Sequence, residues 1–160
     1  MKSFYLEMES PLGRIVLSSN ETHLKSVNFS DVPVDENDNL PGILIDTRQQ
    51  LKEYFSGTRM QFDLALDPDG TTFQQRVWHQ LLQVPFGKTK SYRDLALELG
   101  SILNTRAVGT ANGRNPIAII VPCHRIIGSD GKMVGYAGGL ERKRWLLLHE
   151  QQHSGSGLLF

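Results

Sequence analysis

The chain contains a single cysteine, and the residues around it could support nucleophilic chemistry. Cys123 follows an apolar run and Pro122, and His124 and Arg125 come directly after it. A thiol attacks as its thiolate, which requires a nearby base, cation or helix N-terminus, and these two neighbours are a base and a cation. Adjacent side chains in an extended strand point apart, so the three groups meet only if a helical turn follows Pro122. Otherwise Cys123 is simply a small buried apolar residue.

A second pattern, H-E-x-x-H, begins at His149 and ends at His153. On a helix this spacing places two imidazoles on one face with Glu150 as a general base, which is typical of zinc hydrolases. No third ligand follows, although a catalytic zinc site uses three, and His153 precedes a glycine-rich tail. We therefore interpret the pattern as a chance occurrence. A lone cysteine also excludes an internal disulfide and a zinc site built on two thiolates, and it is usual in a reducing, intracellular compartment.

The net charge of zero conceals two halves of opposite sign. Residues 1–73 carry 6 Lys or Arg and 12 Asp or Glu, whereas residues 74–145 carry 11 and 4. A basic half is the electrostatic signature of a nucleic-acid-binding protein, although a solvated charged surface explains the same numbers. The sign changes near a turn-rich stretch, where we place the boundary between domains 1–71 and 72–160. Because no apolar run approaches the ~18 residues of a membrane helix, we expect no membrane segment, no signal peptide and a cytoplasmic location.

The first half predicts a small antiparallel sheet packed on one helix. Its short β-rich runs are separated by a turn at residues 10–13. An acidic, proline-containing segment then predicts a loop. Apolar residues at helical spacing follow and predict a helix that ends before Gly57. The predicted elements are strands at 4–10, 14–19 and 24–29, a loop at 30–42 and a helix at 43–55.

The second half predicts helices and one buried strand. Ser91 begins an S-x-x-D capping box, and two short helices joined by a glycine-containing turn outline a helix-turn-helix. In the second of these helices, Ala107, Gly109 and Ala111 leave one face nearly smooth, which suits either a neighbouring helix or a nucleic-acid groove. The predicted elements are a helix from Thr72 with Phe73, Val77, Leu81 and Leu82 on one face, helices at 92–99, 104–112 and 140–150, a strand at 117–121, and a mobile tail at 154–157.

Four aromatic residues have distinct expected environments. Trp78 and Trp145 lie in amphipathic helices and are predicted to be in the core. Tyr92 follows the predicted helix cap, where its ring is exposed, and Tyr136 stands near glycines, where a ring can line a pocket. For both tyrosines, ordinary packing remains an alternative.

Taken together, these motifs resemble those of the O6-alkylguanine-DNA alkyltransferases, the methylated-DNA–protein-cysteine methyltransferases. The similarity covers about residues 72–150, and residues 10–13 resemble the start of the family's N-terminal domain. The resemblance implies an α+β protein with a ribonuclease-H-like N-terminal domain of sheet and helix and a winged-helix-like C-terminal domain. The motifs that carry it are Asn115-Pro116 before Pro122-Cys123-His124-Arg125, Arg106-Ala107-Val108-Gly109, Gly138-Gly139, Trp145-Leu146-Leu147-Leu148-His149-Glu150 and Phe86-Gly87-Lys88-Thr89-Lys90-Ser91-Tyr92.

The resemblance implies DNA repair by direct alkyl transfer from O6-alkylguanine, and also from O4-alkylthymine, to Cys123. In this mechanism Glu150 orients His124, and His124 takes the thiol proton through a water. Tyr92 supplies a hydrogen bond or proton to the departing guanine. Because no group hydrolyses the thioether product, each chain acts once and uses no cofactor.

The resemblance also implies that a monomer binds double-stranded DNA through the minor groove. Arg106 would fill the base stack when the damaged guanine flips out, and Tyr92 would push the flanking phosphate. Asn115 would be the hinge between the recognition helix and the active-site segment. The remaining expected site residues are Gln74, Arg93, Ser101 and Ser129 at the DNA backbone, Ala107 and Ala111 on the smooth helix face, and Tyr136, Ala137 and Gly138 at the lip of the base pocket.

The sequence departs from the family pattern in two places. The zinc-binding cysteines found near the N-terminus of some members are absent, so no structural metal is expected. Ala137 replaces a serine of some members, which bears on tolerance for bulky alkyl groups.

Two other functions compete with alkyl transfer. Alkyltransferase-like proteins bind alkylated DNA but lack the cysteine, and a thiol hydrolase using Cys123 and His124 would turn over many times.

Overall fold

The computed structural model describes residues 2–154, which divide after Asp69 into two units. The first unit contains a three-stranded antiparallel sheet in the order β1-β2-β3 and one helix. The second unit contains four helices and a short parallel pair of strands. This is the α+β architecture that the resemblance implied. The elements are β1 (Phe4–Ser10), β2 (Gly13–Ser19), β3 (Leu24–Phe29), α1 (Gly42–Ser56), α2 (Thr72–Leu81), β4 (Lys90–Ser91), α3 (Tyr92–Glu98), α4 (Thr105–Gly113), β5 (Ile126–Ile127) and α5 (Leu140–His153).

The first unit has the predicted sheet and helix. Leu6 of β1 lies opposite Leu17 of β2, and both side chains are fully buried, as is Leu51 of α1. Helix α1 ends at Gly57, whose φ of 86° lies in the left-handed region that glycine adopts without strain. The predicted strands and helix are therefore confirmed to within one residue at each end.

The second unit contains the predicted helix-turn-helix. Ser91 caps α3 by accepting a hydrogen bond from the backbone N–H of Asp94 at 3.0 Å, as the capping pattern indicates. A 3-10 turn, Ile102–Asn104, runs directly into α4. Trp78 of α2 is buried and donates from Nε1 to the carbonyl of Ala111 in α4 at 2.8 Å. These contacts set the positions of α2, α3 and α4 around a shared core.

The predicted strand at 117–121 is wrong, although its burial is confirmed. The segment forms a turn in which Val121 donates its N–H to the carbonyl of Ile117 and Ile119 has a φ of 71°. Ile119 is fully buried. A short apolar run indicates burial equally well for a strand and for a packed turn, and periodicity alone does not separate them.

The predicted helix faces also need correction. Leu82 is 43% exposed, so it does not belong to the apolar face of α2. The smooth face of α4 is divided, because Ala107 is exposed whereas Ala111 is only 3% exposed and packs inward. Trp145 is half-buried and stacks on His149, with ring centroids 4.8 Å apart, rather than lying in the core.

Two predictions concern the ends and the environment of the chain. Within residues 2–154, none of the helices has the length and apolar character needed to cross a bilayer. The mobile tail predicted at 154–157 falls, apart from Ser154, outside the described residues, and Ser154 itself is buried.

Candidate active site and DNA interface

Cys123 begins a 3-10 turn that spans Cys123–Arg125 and follows Pro122 directly. The turn is closed by the N–H of Arg125, which donates to the carbonyl of Pro122 at 3.0 Å. This is the helical turn that the sequence required if the thiol, imidazole and guanidinium were to share one site. Cys123 is 6% exposed and His124 is fully buried, so the chemistry of this segment takes place away from bulk water.

Glu150 is the carboxylate around which this segment is organised. It projects from α5 and is fully buried. Its Oε2 lies 2.6 Å from Nε2 of His124, and its Oε1 accepts from Nε of Arg125 at 2.8 Å. The backbone N–H of Gly87 donates to Oε1 at 3.2 Å, and Nη1 of Arg125 donates to the carbonyl of Val84 at 2.7 Å. The buried charges are therefore paired and hydrogen-bonded, as burial requires.

The electrostatics of the pair favour an ionised Glu150 and a neutral His124. Burial alone would raise the pKa of Glu150, but His124 and Arg125 together hold it well below its ordinary value. Burial lowers the pKa of His124, and Glu150 opposes this only in part. With Nε2–H donating to the carboxylate, the lone pair is on Nδ1. Within the described part of the chain, this buried Nδ1 has no hydrogen-bond partner, so it is available to accept a proton.

The thiol itself is held in its protonated form. Burial raises the pKa of Cys123, while a hydrogen bond from the Asn115 side chain and the charge of Lys143 act in the opposite direction. Because a buried thiol attacks slowly until it is deprotonated, this site needs a base. The unpartnered Nδ1 of the next residue, His124, can meet that need.

Asn115 fixes the chain that leads from α4 to the thiol. Its Nδ2 donates to the carbonyls of Val121 at 2.8 Å and Ile117 at 3.3 Å, and its Oδ1 accepts from the N–H of Ile117 at 3.0 Å. From α4, Asn112 donates to the carbonyl of Cys123 at 3.4 Å. These side-chain amides replace the strand ladder that the sequence predicted for this segment.

Lys143 is a site residue that the sequence reasoning missed. It is fully buried, and its Nζ donates to the carbonyls of Ile126 at 2.5 Å and Val134 at 3.0 Å. The ammonium lies 5.9 Å from the centre of the Tyr92 ring. Burial lowers the pKa of Lys143, and its charge in turn lowers the pKa of Cys123. The signal in the sequence was its helical spacing, seven residues before Glu150 on the same face of α5.

Two tyrosines stand beside the thiol. The hydroxyl of Tyr92 donates to the carbonyl of Val134 at 3.0 Å, and burial raises the pKa of this phenol. Burial likewise raises the pKa of Tyr136, whose hydroxyl is buried and has no partner among residues 2–154. Both phenols therefore remain protonated donors. Of the other expected lip residues, Ala137 is exposed, and the carbonyl of Gly138 accepts from Arg142 at 3.2 Å.

The residues expected at the DNA lie on three helices and two turns of the second unit. Arg106 and Ala107 are exposed on α4, and Arg93 is exposed on α3. Gln74 is engaged in the capping box of α2, and Ser101 caps the 3-10 turn by accepting from the N–H of Leu103 at 3.1 Å. The last two residues are Ser129, which is exposed in the turn at 128–131, and Ala111, which is buried.

The H-E-x-x-H pattern does not form a three-residue site. The rings of His149 and His153 lie 4.4 Å apart, but Nδ1 of His153 donates to the carbonyl of His149 at 2.7 Å. Glu150 is directed to His124 and Arg125 instead. Among residues 2–154, no group of three or more His, Cys, Asp or Glu side chains is arranged to hold a metal ion.

Known proteins match both units of the chain. Residues 72–152 match the family described as 6-O-methylguanine DNA methyltransferase, DNA binding domain, and residues 2–68 match its ribonuclease-like domain. A methylated-DNA–protein-cysteine methyltransferase of Methanosarcina barkeri is 46% identical, over 94% of this chain and 98% of the relative. One from Mycolicibacterium paratuberculosis is 42% identical, over 96% of each chain.

Solved structures match in the same way. The O6-methylguanine methyltransferase of Mycobacterium tuberculosis superposes with a TM-score of 0.87 at 42% identity, covering 97% of this chain and 96% of that one. The M. tuberculosis protein OGT, solved in complex with DNA, superposes with a TM-score of 0.85 at 43% identity over 96% of both chains. The chain therefore belongs to the 6-O-methylguanine DNA methyltransferase family.

Proposed function

We propose that this protein repairs DNA by transferring the alkyl group from O6 of guanine directly to Cys123. The observation that carries the proposal is the buried array in which ionised Glu150 holds neutral His124 with an unpartnered Nδ1 beside a protonated thiol. A protonated nucleophile, a base and an orienting carboxylate are the parts that nucleophilic catalysis requires. Membership of the family and the DNA complex of a 43%-identical relative support DNA as the substrate.

The reaction is a nucleophilic displacement at the alkyl carbon, with the thiolate as nucleophile and guanine as leaving group. Nδ1 of His124 takes the thiol proton through a water, and the sulfur of Cys123 forms a bond to the alkyl carbon. The bond from that carbon to O6 breaks, and its electron pair stays on the guanine. The hydroxyl of Tyr92 then donates a hydrogen bond or proton to the departing base, a role supported by its protonated state.

The product explains why one chain repairs one lesion. A thioether is not hydrolysed by an imidazole or a carboxylate under mild conditions, so Cys123 remains alkylated. The reaction needs no cofactor, because the thiol of the protein is itself the acceptor. O4-alkylthymine presents the same kind of activated alkyl carbon and is proposed as a second substrate.

Counting repaired bases tests this function. A duplex with one O6-methylguanine is incubated with limiting protein, and guanine formed is measured after digestion of the DNA. We expect formation of guanine to stop at one per chain. Continued release of guanine beyond one per chain would exclude a suicidal acceptor, and no release would exclude alkyl transfer.

We propose the following organisation around this reaction. Residues 72–160 form the DNA-binding and alkyl-acceptor domain, and residues 1–71 form a ribonuclease-H-like domain. The protein acts as a monomer, because a reagent with one thiol and one lesion needs no symmetry. It binds in the minor groove through α4, supported by the small and basic side chains exposed there. Its proposed location is the cytoplasm, in contact with chromosomal DNA.

Replacing Arg106 with alanine is expected to weaken binding to lesion-containing duplex and to reduce the log–log salt slope of affinity by about one. Arg106 is exposed on α4, and within residues 2–154 its guanidinium has no hydrogen-bond or ion-pair partner, so the charge is available to DNA. Fluorescence anisotropy over a salt series measures both quantities. Arg144→Ala on α5, which removes another exposed arginine, is the control. Equal slopes in the wild type and Arg106→Ala would contradict this placement of Arg106.

Replacing Lys143 with methionine is expected to slow alkyl transfer at neutral pH by about tenfold. The substitution keeps the side-chain volume but removes the charge that lowers the pKa of Cys123, so the pKa of the thiol rises further. The pH–rate profile therefore moves to higher pH by about one unit. Lys132→Met, which alters a lysine whose side chain is 78% exposed, is the control. An unchanged profile in Lys143→Met would show that this lysine has only a structural role.

A further inference from the structure

One face of the helix-turn-helix carries a large apolar side chain that nothing in its own unit covers. The 3-10 turn at 102–104 continues into α4, so residues from 102 to 113 form one helical stretch. Its outer face presents Leu103, Arg106, Ala107, Thr110 and Arg114, which recur at helical spacing and are all exposed. Leu103 is 90% exposed, the highest value among the exposed large apolar residues of the described chain.

The surroundings of Leu103 match a polyanion. Residues 99–129 contain no Asp or Glu, so no carboxylate in this stretch repels a phosphate. Leu103 precedes Arg106 by three residues, and the two side chains share the exposed face of one helix. The next positions on that face, Ala107 and Thr110, are small and permit close approach of the helix to a groove. The apolar side chain is therefore continuous with the surface that the proposed function places in the minor groove.

We propose that Leu103 enters the minor groove as an apolar wedge beside Arg106 and packs against the sugars and base edges next to the lesion. Proteins that bind the minor groove use leucine and similar side chains in this way to open a base step. The 3-10 turn rises ~2.0 Å and the α-helix ~1.5 Å per residue, so Leu103 and Arg106 lie about 5 Å apart along the axis, between one and two base-pair steps of ~3.4 Å. Arg106 and Leu103 then act on neighbouring steps of one duplex.

The contact has a thermodynamic signature that differs from that of Arg106. Burying an apolar side chain releases no counterions, so loss of Leu103 lowers affinity without changing the salt slope. Loss of Arg106 changes both. The inference rests on the proposed DNA-binding function, and the experiment separates the failure of one from the failure of the other.

The test measures affinity by fluorescence anisotropy on a duplex with one O6-methylguanine, with all proteins carrying Cys123→Ser so that no transfer occurs. Leu103→Ser is expected to bind about five- to tenfold more weakly, with the salt slope of the parent. Leu103→Met keeps an apolar side chain of similar reach and is expected to restore most of the affinity. Leu82→Ser removes another exposed leucine, at the end of α2, and is the matched control.

A second measurement reports on the base stack directly. 2-Aminopurine is placed one step from the lesion, where unstacking raises its fluorescence. The rise on binding is expected to be smaller with Leu103→Ser than with the parent or with Leu82→Ser. A third measurement uses Leu103→Ser in the protein that retains Cys123. Its alkyl uptake from free O6-benzylguanine is expected to match that of the wild type, which would show that the Cys123 site is intact. Its repair of duplex DNA alone is expected to be slower.

The outcomes are distinguishable. Parental affinity and parental fluorescence in Leu103→Ser would overturn the wedge while leaving the proposed function standing. Weaker duplex binding with a reduced salt slope would also overturn it. So would a loss of alkyl uptake from free O6-benzylguanine as large as the loss on duplex DNA. Both results would point to a general disturbance of the domain. A parent protein that binds no duplex at all would instead remove the proposed function on which the inference rests.

Discussion

Replacing Cys123 with serine is expected to abolish alkyl uptake while leaving the affinity for lesion-containing duplex close to that of the wild type. A serine hydroxyl is far less acidic than a thiol, so the lone pair on His124 does not deprotonate it to a useful extent. The variant should therefore form a stable complex and leave the lesion unchanged. Mass spectrometry of the protein and anisotropy of the DNA measure the two properties. Alkyl uptake by Cys123→Ser would show that another residue is the acceptor.

The same variant carries a prediction for stability. Burial raises the pKa of Cys123 above its ordinary value of 9.0. Between 9.0 and the raised value, the unfolded chain has lost the thiol proton and the folded chain has kept it. The free energy of unfolding of the wild type therefore falls as pH rises above about 9, by up to ~1.4 kcal/mol per pH unit from this group. Cys123→Ser lacks this contribution, so its curve from denaturant unfolding should fall less steeply over that range.

Replacing Glu150 with glutamine is expected to lower the free energy of unfolding by about 3–5 kcal/mol and to slow alkyl transfer at least ~100-fold. The first effect arises because Arg125 loses its carboxylate while remaining buried. The second arises because His124 loses the acceptor that sets its tautomer and stabilises the imidazolium formed when it takes the proton. Chemical denaturation and single-turnover transfer measure the two effects.

Two further variants separate stability from catalysis. Glu141→Gln neutralises an exposed carboxylate in the first turn of the same helix and should change neither property. Glu150→Gln combined with Arg125→Met removes both buried charges, so it should recover much of the lost stability while transfer remains slow. A double variant that recovers both stability and rate would show that Glu150 serves only to hold the fold.

The residues whose environment depends on local sequence were predicted well. Ser91 caps the start of a helix through its side chain, whereas Gly57 ends a helix because it lacks a side chain and adopts the left-handed conformation without strain. The turn after Pro122 is the one that the Cys123 chemistry required. The strand predicted at 117–121 failed because its backbone groups are bonded by the Asn115 side chain, which lies outside the apolar run. The apolar run predicts that the segment is buried, but it does not show which groups form hydrogen bonds with its backbone N–H and C=O groups.

The site residues also divide into those indicated by local sequence and those that depend on distant partners in the fold. Cys123 and His124 were singled out from the residues around the thiol, and the role of Glu150 was implied by the family resemblance. The structure brings Glu150 to His124 and adds its pairing with Arg125, which no spacing indicates. Lys143 was missed because it stands between Arg142 and Arg144, in a run that is typical of a solvated helix face. Its burial depends on carbonyls from residues 126 and 134, which reach it only in the folded chain.

The most direct test of the central claim is the intact mass of the wild-type protein after reaction with a duplex that contains one O6-methylguanine. The account predicts a gain of one methyl group per chain, located on Cys123 by peptide mapping and not exceeded when the DNA is in excess. An unchanged mass in a protein that binds the duplex would contradict alkyl transfer and indicate recognition alone. A methyl group on any other residue would contradict the role of Cys123.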